Sequence, residues 1–253
     1  MQLNVQIHGN GEPLIIMHGL FGTLENWGGQ IKALSEHFTV YAVDMRNHGR
    51  SPHSDTFDYP SMTQDVLQLM DDHQLAKAHI LAHSMGGKAA MQLALNYPDR
   101  VDKLIIVDIA PVTYPHHHQD VMRGLNAIQL ASLKSRNEAD QQLSQYIPEL
   151  SVRQFLLKNL YRDEQKQFAW RMNLPVIEAN YPNISIAPIG PPYTAPVLFI
   201  KGEHSDYITA EYREPILKLF PKADYRMIQG TGHWPHAEKP GIFTKMVLNY
   251  LSK

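Results

Sequence analysis

Residues 78–87 read AHILAHSMGG. Ile80 and Leu81 sit in a short apolar run of buried-strand type, Ser84 follows in an Ala82-His83-Ser84-Met85-Gly86 turn, and 88–96 (KAAMQLALN) reads as a helix. A serine at a sharp strand-to-helix turn is a nucleophile elbow. The turn exposes the hydroxyl and brings the next residue's N–H to the reaction centre. Small flanking residues let neighbouring backbone pass close by. Here the first of them is Ala82 instead of the usual glycine. Without further support the same pattern describes an ordinary turn with an N-capping serine.

Working outward, apolar strand-length runs recur with helical patterns between them. Upstream are PLIIM (13–17) and FTVYAV (38–43), with 2–8 as an edge strand; downstream are LIIV (104–107), PVLFI (196–200) and DYRMI (224–228). Helices are expected over 27–36, 211–220 and 242–251, and one opens at a capping box in Ser61-Met62-Thr63-Gln64. Such alternation means a mostly parallel sheet with helices on both faces, an α/β fold. Ligands bind such sheets at the strands' carboxyl ends, where His18, Asp44, Ser84 and Asp108 all fall. The alternation lapses from 112 to 194, where helical patterns at 121–134, 138–146 and 152–160 and a run of prolines replace the strands. The expected organisation is a core of 1–111 and 195–253 with residues 112–194 inserted as a helical lid over the strand tips.

Composition narrows the partners. A chain of 253 residues with net charge −2 offers no electrostatic case for nucleic acid or an anionic membrane. No apolar stretch approaches the length of a membrane span. The absence of cysteine rules out disulfides and thiolate chemistry and fits a reducing compartment. With no basic and apolar leader at 1–11, a cytoplasmic protein is expected. No P-loop or G-x-G-x-x-G occurs, so no nucleotide cofactor is expected. His116-His117-His118 reads as a solvated turn and not a metal site, because consecutive side chains diverge. Asp44, Asp71 and Asp72 read as helix-end or surface groups.

Serine catalysis needs a base, an acid to orient it and an oxyanion hole. Gly230-Thr231-Gly232-His233 supplies a histidine in a glycine-flanked loop after the last strand, so His233 is the candidate base; His236 is the runner-up and reads better as a surface or supporting ring. Met85 N–H and Leu20 N–H, the latter from the His18-Gly19-Leu20-Phe21-Gly22 loop, are the candidate oxyanion donors. His18, before that tight turn, suits holding the loop. Trp27 reads as core, whereas Trp170 and Trp234 fit pocket lining and core equally.

Taken together, HGLFGTLENW (18–27), VDMRNHGRSP (43–52), HSMGGKAAM (83–91), VDIAPV (107–112) and GHWPHAEKP (232–240) resemble the α/β-hydrolase superfamily, and within it small bacterial esterases of the YbfF type. The likeness runs through essentially the whole chain, including RMNLPVIEANYP (171–182). It implies a serine carboxylic-ester hydrolase with Ser84 as nucleophile and His233 as base. Most α/β-hydrolases carry the acid after the strand that follows the lid. The usual spacing there falls on Ser205, with Asp206 one residue late. YbfF-type enzymes instead carry the acid after the strand that follows the nucleophile helix, which maps to Asp108, and place a serine near the site, which maps to Ser205. Asp108 is therefore the expected acid, Asp206 the alternative and Ser205 a fourth polar residue. The scaffold also serves acyl-CoA thioesterases, cofactor-free haloperoxidases and carbon–carbon bond hydrolases, and a hydrolase-like fold can act as a small-molecule receptor. Ester or thioester substrates are expected. The apolar lid with scattered Arg123, Arg153 and Arg171 is compatible with short or acidic acyl groups.

Overall fold

The central apolar runs become strands because they are buried on both faces, so that successive side chains feed two different cores, whereas the two edge strands stay partly exposed. The computed structural model describes residues 1–252. Its sheet contains β1 (Val5–His8), β2 (Glu12–Met17), β3 (Phe38–Val43), β4 (Ala78–His83) and β5 (Val101–Val107), then, beyond a hairpin of β6 (Leu160–Arg162) and β7 (Phe168–Trp170), β8 (Val197–Gly202) and β9 (Ala223–Ile228). The seven-stranded order is β1-β3-β2-β4-β5-β8-β9; β1 runs antiparallel to β3 and the other pairs are parallel. Along β2, Ile15 and Met17 pack on one face with Ile80, Ala82, Leu104 and Ile106, below the helices Tyr59–Asp72 and Ser84–Asn96. Leu14 and Ile16 pack on the other with Val40, Leu81, Ile105 and Val107, below Gly28–Leu34 and Pro240–Leu251. This is the α/β arrangement expected from the pattern.

Several local expectations change. The Tyr59–Asp72 helix begins earlier than the Ser61 box implies: Asp58 is its N-cap and accepts from Ser61 N–H at 2.8 Å, with Pro60 in the first turn. A proline there has no amide to lose, which favours the earlier start. The expected helix at 27–36 splits into a 3₁₀ turn, Leu24–Trp27, and the helix Gly28–Leu34. Between β5 and β8 the chain is mostly short helices, among them Gln119–Ala127, Arg136–Leu143 and Leu150–Leu157, but it also holds the β6–β7 hairpin, for which three-residue strands left no readable period.

Candidate active site

β4 ends at His83, and Ser84 starts the next helix with φ at +52°. A non-glycine residue tolerates this left-handed turn only where the surroundings impose it. They do so here through close backbone approach. A Cβ on Gly86 would lie 2.5 Å from the His18 carbonyl oxygen, and one on Gly19 3.1 Å from Ser84 Cβ. The elbow is therefore pressed against the loop after β2, and Ala82, fully buried inside β4, leaves that contact intact.

Ser84 Oγ lies 3.0 Å from Nε2 of His233. The loop carrying His233 is held by carboxylates: Gly230 N–H donates to Glu203 at 2.7 Å, and Gly232 and Trp234 N–H donate to Glu238 at 2.9 and 3.2 Å. On the far side of the ring, Nδ1 donates to Oδ2 of Asp108 at 2.7 Å, which leaves Nε2 as the acceptor toward serine. Asp108 is fully buried at the end of β5, also with φ at +52°. Its Oδ1 accepts from Gly202 N–H at 3.0 Å, and its Oδ2 accepts from the Ser205 hydroxyl as well as from the imidazole. Tyr207 stacks on His233 with ring centroids 4.1 Å apart. Of the two candidate acids, Asp108 therefore contacts the imidazole. Asp206 is exposed and makes no hydrogen bond to it; it lines an open groove beside His233.

The loop after β2 is fixed by two buried histidines in set tautomers. His18 donates from Nδ1 to the Gly19 carbonyl and accepts Met45 N–H on Nε2 at 2.9 Å. His48 donates from Nδ1 to the Arg46 carbonyl and accepts Phe21 N–H on Nε2 at 3.0 Å. Burial lowers the pKa of both, that of His48 to about 3, so each ring stays neutral. Asp44 was expected at a helix end or the surface but is buried: it accepts Leu24 and Arg50 N–H and the Asn4 amide at 2.7–2.9 Å, which ties the loop to the end of β3. Leu20 N–H, between these tethers, has no acceptor among the described residues. Met85 N–H belongs to the first helical turn, where amides lack an intrahelical partner. Leu20, Ser84 and Met85 line one cavity.

Residues 12–145 match the family model described as alpha/beta hydrolase fold. The chain belongs to the α/β-hydrolase family. It is 39% identical to Esterase YbfF of Escherichia coli (strain K12) across the whole of both chains. It is also 39% identical to the sn-1-specific diacylglycerol lipase ABHD11 of Xenopus laevis, over 95% of this chain and 80% of that one. A solved marine microorganism esterase, 41% identical, superposes with a TM-score of 0.96 over 98% of this chain and 99% of that one.

This hydrolase site has further walls that the sequence did not announce. Lys88, 1% exposed, donates from Nζ to the Ser185 and Ile186 carbonyls at 2.9 and 2.8 Å and lies 4.7 Å from the Tyr114 ring centre. Burial lowers its pKa to about 7. The His116–His118 stretch is not simply a solvated turn: His118 contacts the Tyr181 hydroxyl at 2.5 Å, burial brings its pKa down to about 4, and with His117 it lines the cavity at Ser84. His236 is buried rather than superficial, stacked on Trp27 at 4.2 Å. Trp234 packs edge-on to His233 at 5.4 Å, and Trp170 ends β7, half-buried. The arginines of residues 112–194 named above are engaged locally, Arg153 with Asp140, Arg123 with Asp120 and Arg171 over Tyr161.

Proposed function

We propose that this chain hydrolyses carboxylic esters of small molecules through an acyl-enzyme on Ser84. The observation that carries the reading is the unbroken run of hydrogen bonds from Ser84 Oγ through His233 to Asp108, at 3.0 and 2.7 Å. The full-length esterase relatives support the same chemistry.

In the first half-reaction, His233 Nε2 takes the Ser84 proton as Oγ attacks the ester carbonyl. Asp108 fixes the productive tautomer and stabilises the imidazolium that forms. The amides of Leu20 and Met85 receive the oxyanion, each donor contributing about 3–4 kcal/mol to the transition state. Collapse of the tetrahedral intermediate breaks the bond to the leaving oxygen, which takes its proton from His233. Water, deprotonated by the same ring, then attacks the acyl-enzyme and releases the acid and free Ser84. Ser205 shares the carboxylate oxygen that His233 uses and so steadies Asp108. Residues 112–194 serve as a lid on the core formed by 1–111 and 195–253. No helix is long and apolar enough to cross a membrane among the described residues, and the cysteine-free composition supports a cytoplasmic location.

Turnover of p-nitrophenyl acetate and labelling by a serine-directed fluorophosphonate test the reading. Ser84→Ala should abolish labelling, and both Ser84→Ala and His233→Ala should lower kcat by several orders of magnitude with folding intact. Retained esterase activity in purified Ser84→Ala would defeat it.

A further inference from the structure

The proton that leaves Ser84 comes to rest on His233, so the imidazole is neutral while substrate binds and positive while bonds form and break. A group that attracts the charged ring more than the neutral one therefore speeds the reaction without tightening binding. Asp108 does this in the plane of the ring, through Nδ1. The faces of the ring are a separate surface. There an aromatic π cloud can meet a positive charge without taking its proton.

Among the described residues three rings pack against this imidazole. His83 lies 4.6 Å away with its plane turned by 46°, and Trp234 lies 5.4 Å away turned by 64°. Tyr207 alone lies flat on it, 4.1 Å from centre to centre at 27°. That separation is well inside the range over which the quadrupole of a phenol ring attracts a cation above its face. His83 brings no competing charge. It donates from Nε2 to the His233 carbonyl at 2.8 Å, and burial holds its pKa well below the ordinary value, so the ring is neutral.

Tyr207 is fastened in this position. It follows β8, and its N–H donates to Ser205 Oγ at 3.3 Å, while Ser205 donates to the same Asp108 oxygen that receives His233. Its carbonyl accepts the Tyr114 hydroxyl, which itself accepts Ala110 N–H at 2.8 Å, and the Tyr114 ring packs edge-on against it at 5.2 Å. One carboxylate thus orients the imidazole directly and, through Ser205, the ring stacked on it.

We propose that Tyr207 is a positioning residue acting through His233: its ring face stabilises the positive charge that the imidazole carries only during acyl transfer, and so raises kcat while leaving substrate binding alone. The proposal rests on the esterase reading above. It separates charge stabilisation from mere packing, since an aliphatic side chain would also fill the space beside the imidazole but has no π face.

The test is steady-state hydrolysis of p-nitrophenyl acetate by the whole protein, with fluorophosphonate labelling to count active sites. Tyr207→Leu should lose about 10-fold in kcat with KM within about twofold. Tyr207→Phe, which restores the face without the hydroxyl, should recover most of that loss. Fluorinated phenylalanines placed at 207 by nonsense suppression keep the ring's shape while draining its negative face, and kcat should fall stepwise as fluorines are added. A flat fluorine series overturns the proposal, and does so even where Tyr207→Leu fails to fold. Equal losses in Tyr207→Phe and Tyr207→Leu would move the effect to the hydroxyl and also overturn it, as would an unchanged kcat in soluble Tyr207→Leu. Each of these outcomes leaves the esterase reading standing. Wild type that neither labels nor hydrolyses acetate removes that reading, and this proposal falls with it.

Discussion

Two residues at strand ends, Ser84 and Asp108, share a left-handed backbone at φ +52°. For an L-residue this costs about 1–2 kcal/mol, strain that the fold holds where the hydroxyl and the carboxylate must project above the sheet. Removing the side chain should expose that cost. Ser84→Gly should melt about 2–4 °C above Ser84→Ala, both being inactive, for about 1 kcal/mol of relieved strain in a chain of this size. The acid can be tested by the same single-residue logic. Asp108→Asn should lose on the order of 10⁴ in kcat by presenting the wrong tautomer of His233, whereas Asp206→Asn should stay within about threefold of wild type. Assays of both on one ester decide it; the reverse ranking would return the role to Asp206. Ser84, His233 and Asp108 could be picked out beforehand because turn, glycine and strand-end patterns surround them. Lys88 could not: a lysine four residues into a helix reads as solvent-facing, and only the fold brings the Ser185 and Ile186 carbonyls to it.

At the level of elements, the loop after β2 depends on partners from the chain that follows β3. Phe21, itself at φ +60°, gives its N–H to His48, and Leu24 gives its own to Asp44. His48→Ala leaves a buried amide unsatisfied and frees the segment that carries Leu20. Activity should fall by about 10–100-fold, chiefly in kcat, as for a weakened oxyanion donor, with a lower melting temperature. Steady-state kinetics alongside a thermal melt would show it, and unchanged kcat would mean that Leu20 is positioned some other way. The strands were readable because double burial leaves continuous apolar runs such as PLIIM. Asp44 and His48 were not assigned these roles, since a buried polar residue in a turn-rich loop looks the same in sequence as a solvated one. The β6–β7 hairpin went unseen for a related reason: Leu160–Arg162 and Phe168–Trp170 are too short to carry a period.

Across the whole molecule, burial keeps several imidazoles neutral. It lowers the pKa of His48 and His236 to about 3 and that of His118 to about 4, His233 adding to the effect on His236 and His118. In the unfolded chain these rings take up protons near pH 6.5. Between those values the unfolded state binds protons that the native state does not, so acidification favours unfolding by up to about 1.4 kcal/mol per pH unit for each ring. The melting temperature should fall steadily from pH 6.5 to 4.5, and His236→Phe, which keeps a flat ring against Trp27, should flatten the slope. A melting temperature constant over that range would contradict the burial of these groups. The layered sheet and its interruption after β5 were legible throughout, because they follow from hydrophobic period alone. The path of the chain from residue 185 back to β8 was not. Along the helix Ser84–Asn96, Lys88, Gln92 and Asn96 stand one turn apart and grip the stalk at 185–189, Gln92 bonding both the N–H and the carbonyl of Ile189. A chimera that exchanges the proposed lid with a relative's must therefore make its downstream join ahead of Ile184; a join nearer residue 194 would import a foreign stalk onto a helix cut to fit its own.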